Sequence, residues 1–372
     1  MSTRLLRSLD EAIAACRLPR ELPFLRAERA TVLARLGERS QAQLEIATLR
    51  AGADATTQPG LHAWLWLAEG LADFYADVAA RAHDRIRRAL ALATLARASR
   101  VLPLAAAWMA HMDFHVGDDA SAIEHVALAL RTAAADHHGA RARACLVLAG
   151  MLHYAGSEAP AQPWYAQARV HAAAEGDGAT LSSILYNLTL LRIVEVRLAD
   201  AFGAGCDAAA LRRAMLGTES SLSLDHSVHT RALSHHPPMQ RAQVLLMAGD
   251  WAGALALYEA HLPQAIEQGL AASECVYLAD RAWCRAQLGQ GDAALVDARQ
   301  AAGAFRSGTE SHDRAVTHAV LARVHVLLGL ADVAEHHAAQ ARQAHAAYRA
   351  RADGLCARIA AADLDPVRTA PC

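Results

Sequence analysis

His111 and His115 stand four residues apart, a spacing that lays two imidazoles on one face of a helix, and His153 falls on the neighbouring helical segment. Three such imidazoles could ligate zinc. Met112 and Asp113 follow His111, so the glutamate of the His-Glu-x-x-His hydrolase motif is missing. Of the 20 histidines, the adjacent pairs His137-His138, His235-His236 and His336-His337 would point apart on a helix or lie in loops, and they read as surface residues. The chain contains no lysine. A phosphate-binding loop with its lysine, a pyridoxal Schiff base and the kinase lysine are therefore excluded as usually built. A Gly-x-Ser-x-Gly elbow, a glycine-rich dinucleotide fingerprint and paired carboxylates on a strand framework are absent too.

Composition narrows the setting. Seven scattered cysteines with no Cys-x-x-Cys pair suit thiols in a reducing compartment, which makes the cytoplasm the expected location. Arg4, Arg7, Asp10 and Glu11 interrupt any signal-peptide core, and no stretch approaches the ~20 apolar residues of a membrane span. A formal net charge of -2 gives no global pull toward nucleic acid or anionic membrane, so neither is an expected partner. Arg81, Arg85, Arg87 and Arg88 cluster at helical spacing and read as a solvated helix face.

The elements that must position any site follow from a repeat. From Met247 to Glu259 the chain reads as one helix ending at Gly249-Asp250-Trp251 and another starting behind it. Steps of 40 residues lead from Gly249 to Gly289 and Gly329, and an alanine stands five residues after each: Ala254, Ala294 and Ala334. The same device is legible earlier, at Gly37 with Ala42, Asp77 with Ala82, Gly117 with Ala122, Gly156 with Ala161 and Val196 with Ala201. Seven residues before each turn a second small column appears: Ala30, Gly70, Ala110, Ala149, Thr189, Ala242, Ala282 and Ala322. Two facing columns without bulk let antiparallel helices approach at the close end of the usual ~8 to 10 Å. Glycine is costly inside a helix and favoured just past its end, so the six turn glycines mark hairpins.

These residues resemble the tetratricopeptide-like helical repeats: the small residue of the first helix, the Gly249-Asp250-Trp251 turn, Ala254 and Tyr258. The long period is similar to that of the sensor superhelix of maltose-activator-like and other large LuxR-type regulators. The resemblance implies an all-α, right-handed α-α superhelix of about eight hairpins. Residues 1–22 form an N-terminal cap, 23–215 repeats one to five, 216–238 an inserted polar loop, 239–361 repeats six to eight with the C-terminal helix, and 362–372 a tail.

It also implies function. In such a superhelix the first helices line a concave groove, here presenting Leu67, Leu71, Phe74, Tyr75, His111, Phe114, His115, His153, Tyr154, Tyr186 and Asn187, with Gln243, Met247, Trp283, Gln287 and Arg323 in later repeats. The expected role is a non-enzymatic scaffold or adaptor engaging a protein or peptide partner, or a small ligand, without a cofactor or metal. Asn187 matches the asparagine of the acidic-peptide clamp of some family members, whose lysines Arg35, Arg192 or Arg323 could replace. The alternatives are a ligand-sensing regulator acting on a partner in trans, and a metal-dependent activity at His111, His115 and His153.

Overall fold

The turn chemistry fixes the architecture. In the computed structural model, which describes residues 3–52, 58–76, 79–156, 158–203, 205, 208–228 and 234–364, Gly37, Gly117, Gly156, Gly249, Gly289 and Gly329 all take φ between 76° and 83°. That left-handed conformation ends a helix and suits glycine above other residues. At Gly249 the stop and the next start share four residues. The Gly249 and Asp250 amides donate to Leu246 and Leu245 carbonyls, while the Asp250 carboxylate accepts from the Gly253 amide at 2.9 Å. Gly117-Asp118 and Gly176-Asp177 repeat the device, with Asp118 capping the Ser121 amide and Asp177 the Thr180 amide.

The described residues are helical, with no strand among them. After α1 (Arg4–Ala15), hairpins pair α2 (Leu22–Leu36) with α3 (Arg39–Gly52), α4 (Pro59–Phe74) with α5 (Ala79–Leu95), α6 (Val101–His115) with α7 (Asp119–Thr132), and α8 (His138–Tyr154) with α9 (Glu158–Glu175). There follow α10 (Gly178–Phe202) with α11 (Ala208–Val228), α12 (His236–Met247) with α13 (Trp251–Ala265), α14 (Glu274–Gln287) with α15 (Gly291–Gly303), and α16 (Ser311–Leu327) with α17 (Ala331–Ala361). The fold is thus the expected all-helical array of hairpins. It divides into a first compact unit (Met1–Ile184, Asp225–Ala232, Leu355–Cys372) and a second (Leu185–Leu224, Leu233–Gly354).

In the first unit both small columns are sealed: Ala42, Ala82, Ala122 and Ala161 on second helices, Ala30, Gly70, Ala110 and Ala149 on first helices. Gly70 shows why bulk is refused, since a Cβ there would lie 2.7 Å from Ile86 Cγ1. Leu33, Leu61, Leu65, Trp108 and Met112 are enclosed in the same core cluster as Ile86. In the second unit Ala254 and Ala294 are fully enclosed, as are Ala242 and Ala282.

The fifth hairpin departs from the expected register. Val196 does not mark a turn; it is 4% exposed inside α10, which continues to Phe202. A β-branched residue cannot take the left-handed cap, so the helix runs on to Gly203 and to Gly205, whose φ is 99°. Ala201 accordingly closes the first helix instead of opening the second. The expected inserted loop is also corrected, because 216–228 belong to α11. The extra residues lengthen the hairpin, giving helices of 25 and 21 residues. Hydroxyls that looked like loop chemistry return to the helix, with Thr218 Oγ1 donating to Ala214 O and Ser220 Oγ to Leu216 O. Thr189 faces Gly217, where a Cβ would approach its Oγ1 to 2.5 Å. The rest of the expected loop up to 233 and the expected turn at Asp77 lie outside the described residues.

One further expectation is revised. By length and composition alone α10 is apolar enough to cross a membrane. It is nonetheless a packed member of its hairpin: Ile193 is enclosed with Ala214 and Val244, and Arg197 is ion-paired with Asp280. The small-column geometry makes a direct prediction for hairpin six. Ala254→Leu overpacks the contact and should cost about 1 to 3 kcal/mol, read as a lower urea midpoint at unchanged slope; an unaltered midpoint contradicts the register.

Candidate partner-binding surface

The last turns of α4 and α6 and the first turns of α8 carry the aromatic and cationic side chains of the first unit. Phe74 and Tyr75 close α4, with ring centroids 5.1 Å apart. Trp108 and His111, three residues apart on α6, meet Phe74 edge-on at 5.9 and 5.3 Å. Tyr75 lies 6.4 Å from Trp108. Across this wall Arg143 of α8 sets its guanidinium 3.9 Å from the Trp108 ring centroid. Arg35, in the last turn of α2, reaches the start of α10, meeting Asp177 Oδ2 at 2.8 Å and Thr180 Oγ1 at 2.6 Å.

The electrostatics of this cluster are unbalanced. Arg35 and Arg143 both lie against Tyr75, and Asp177 is the carboxylate that acts on both. Burial opposes the charge on Arg35, but Asp177 and Tyr75 outweigh it and its pKa stays above the usual arginine value. Arg143 fares worse: burial, reinforced by the like charge of Arg35 against the pull of Tyr75 and Asp177, brings it down to about 10. Its Nη2 is buried without a hydrogen-bond partner. Burial, then Arg143 and His115, lower His111 to about 3, so it is neutral near pH 7. Asp177 is held below the usual carboxylate range because Arg35 and the Thr180 hydrogen bonds overcome its burial.

The predicted groove residues divide accordingly. Phe74, Tyr75 and His111 share one cluster, and Phe114 meets Tyr154 edge-on at 5.5 Å. His115 is exposed, Phe114 partly so. Leu67 and Leu71 are corrected: both are 0% exposed and belong to the core, because those positions face the neighbouring hairpin. The His111, His115 and His153 set is not assembled as ligands. His153 is buried with Nδ1 3.3 Å from the Tyr165 hydroxyl, and the nitrogens of the three do not fall within 4.8 Å of one another. Trp108, Arg143 and Asp177 went unrecognised in the sequence. The available signal was an arginine, Arg143, interrupting the apolar run of a first helix.

The second unit has a first-helix surface of its own. Tyr186 and Asn187 are half-buried on α10, where the Tyr186 carbonyl accepts from Gln240 Nε2 at 3.1 Å. A shallow pocket is lined from α10, α12, α14 and α16 only, with Leu246, Met247, Trp283 and Val320 as apolar walls and the Arg323–Asp200 ion pair at its edge. Met247, Trp283 and Arg323 are three of the later-repeat positions expected on the groove. Beneath them lies a buried network in which Arg197 is paired with Asp280, whose other oxygen accepts from the Tyr258 hydroxyl at 3.1 Å.

No known family model and no curated relative matches the chain. Among solved structures it is similar to a Rap protein complexed with Competence and Sporulation Factor, with a TM-score of 0.54 and 11% identity over 93% of this chain and 98% of that one. At that identity the likeness establishes the helical-repeat fold.

The charge imbalance in the first unit has a titration signature. Glu175 is pushed up to about 7 by burial and by Glu28 and Asp177, with Arg100 and Arg35 acting the other way, from an ordinary value of 4.5. A carboxyl whose folded pKa is raised stabilises the fold in acid and loses that contribution as pH climbs toward 7. Glu175→Gln should therefore raise the melting temperature at pH 8 and leave it nearly unchanged at pH 4; equal shifts at both pH values contradict the assignment.

Proposed function

We propose that this chain is a non-enzymatic scaffold or adaptor that holds a protein or peptide partner on its first-helix face, with the half-buried Phe74, Tyr75 and His111 as the main contact and the enclosed Trp108 and Arg143 behind them. One observation carries the proposal: a buried guanidinium, Arg143, has an unpartnered nitrogen inside an aromatic wall. A buried guanidinium with one unmet nitrogen carries a desolvation cost that Tyr75 and Asp177 offset only in part, and packing alone gives no reason to keep it. A carboxylate supplied by a partner would balance the two arginines against Asp177. Phe74 and Tyr75, the half-buried rings, are of the kind that dominates interface energetics, since aromatic side chains offer apolar area with few rotors to immobilise.

Arg35 thus takes the place foreseen for a clamp lysine, joined by Arg143; Arg323, paired with Asp200, belongs to the second unit's surface. That surface carries Trp283 and Met247. The fold supports this reading, since the similar Rap protein was solved in complex with a second molecule, Competence and Sporulation Factor. A regulator that acts on its partner in trans would use the same face.

Arg143→Met separates this role from a structural one. It removes a strained charge while keeping an apolar stem, and should raise stability by roughly 1 kcal/mol, the cost of the unpaired charge less the lost stacking on Trp108. Screened on a peptide array, the same variant should lose at least tenfold in affinity for the carboxylate-bearing peptides that the unaltered chain retains. A variant that is destabilised and binds normally contradicts the proposal.

A further inference from the structure

Two sets of side chains that the sequence places on open surface meet neighbours across helices instead. His138, His235 and His337 each reach across their own hairpin, with Nδ1 3.0 to 3.1 Å from Nδ1 of His171, His261 and His318, which corrects their reading as surface residues. The second set is more consequential. Arg81 and Arg85, which the spacing groups with Arg87 and Arg88 on a solvated helix face, line an open groove in the first unit.

The groove has a volume of about 440 Å³, within the range of small-molecule sites. Its walls come from α3, the end of α4 and the first two turns of α5. Arg39 and Arg50 enter it from α3, Arg81 and Arg85 from α5, and Glu69 and Asp73 from α4. Among the described lining residues, four guanidiniums against two carboxylates leave an excess of two positive charges. The chain as a whole carries a formal net charge of -2, so this excess is a local concentration and not a general property of the surface.

The two carboxylates hold the arginines without using them up. Buried Asp73 grips Arg81 through both oxygens, at 2.7 Å from Nε and 2.6 Å from Nη2, and lies 2.8 Å from Arg85 Nη1. Arg81 Nη1 and Arg85 Nη2 take no part in those pairs. Glu69 accepts from Arg50 Nε at 2.8 Å. Arg50 Nη2, 2.6 Å from the same oxygen, is buried yet out of line for a hydrogen bond to it. Arg39 is exposed and pairs with no carboxylate among the described residues. Side chains already fixed in this way have less rotamer freedom to lose when a ligand arrives.

We propose that this groove is a binding site for a small phosphate-bearing anion, held by Arg39, Arg50, Arg81 and Arg85. A phosphoryl group presents three acceptor oxygens in a tetrahedral array, which suits donors converging from two helices on either side of a third; a carboxylate presents two in one plane. The first turns of α5 open on the groove, and the positive end of that helix adds to the attraction. None of the four guanidiniums belongs to the partner-contact cluster, so the site is independent of the role proposed for that face.

The test titrates inorganic pyrophosphate into the full chain by calorimetry at low salt. One pyrophosphate should bind per chain, and Arg39→Gln and Arg85→Gln should each weaken binding about tenfold, the worth of one charge-assisted hydrogen bond. Arg87→Gln, on the same helix but paired with Asp84 outside the groove, should leave binding unchanged. Citrate, of similar charge but with carboxylate oxygens only, should bind at least tenfold more weakly than pyrophosphate. If Arg85→Gln fails to fold by circular dichroism, Arg39→Gln decides, because Arg39 is exposed and its loss breaks no ion pair. Absence of binding, binding unaffected by Arg39→Gln, or an equal loss in Arg87→Gln overturns the site, and citrate binding as tightly as pyrophosphate overturns its assignment to phosphate.

Discussion

Close approach of two helices at paired small residues is the contact on which everything else rests. Gly70 against Ile86 and Gly217 against Thr189 leave no space for even one added carbon. With the hairpins this close, Leu67, Leu71, Trp108 and Met112 are enclosed in one continuous core cluster. In such arrays each unit is stabilised mainly by its neighbours, so a local defect need not propagate. The fifth hairpin shows this tolerance, since both of its helices exceed 20 residues yet it keeps a close small-residue contact.

The same geometry decides where polar chemistry can sit. On α5, Arg87 and Arg88 pair with Asp84 in the open, while on α15 Asp297 is enclosed and pairs with Arg281 and Arg285. Arg35 with Asp177 in the first unit and Arg197 with Asp280 in the second are buried pairs with added hydrogen bonds, although Arg35 Nε lacks a partner and burial still pushes Asp280 up. Arg143 differs from Arg35 in that it is stacked on Trp108 and burial outweighs the groups that favour its charge. It is the place where local electrostatics and fold stability disagree, which is characteristic of functional positions.

Much of this was legible in the sequence, because glycine is nearly obligatory where a helix must end in left-handed backbone. The six turn glycines and the alanine columns reported hairpins directly. The fifth turn was misplaced since extrapolating a fixed period ignored that Val196 cannot cap, while serines near Gly217 imitated a loop although their hydroxyls can bond back along a helix. At the candidate site, spacing from the turn found Phe74, Tyr75 and His111. It also named Leu67 and Leu71, which one-dimensional counting cannot distinguish from groove positions because both faces of a first helix are apolar. The place of Arg143 depends on side chains meeting across helices, and no spacing rule within one helix encodes that meeting.

The central claim is that the first helices, not the second, receive the partner. Hydrogen–deuterium exchange of the full chain with and without a bound carboxylate-bearing peptide addresses it directly. Added protection should concentrate at the ends of α4 and α6 and the start of α8, around Tyr75, His111 and Arg143. Protection confined to α5, α7 and α9, with those segments unchanged, would contradict the account.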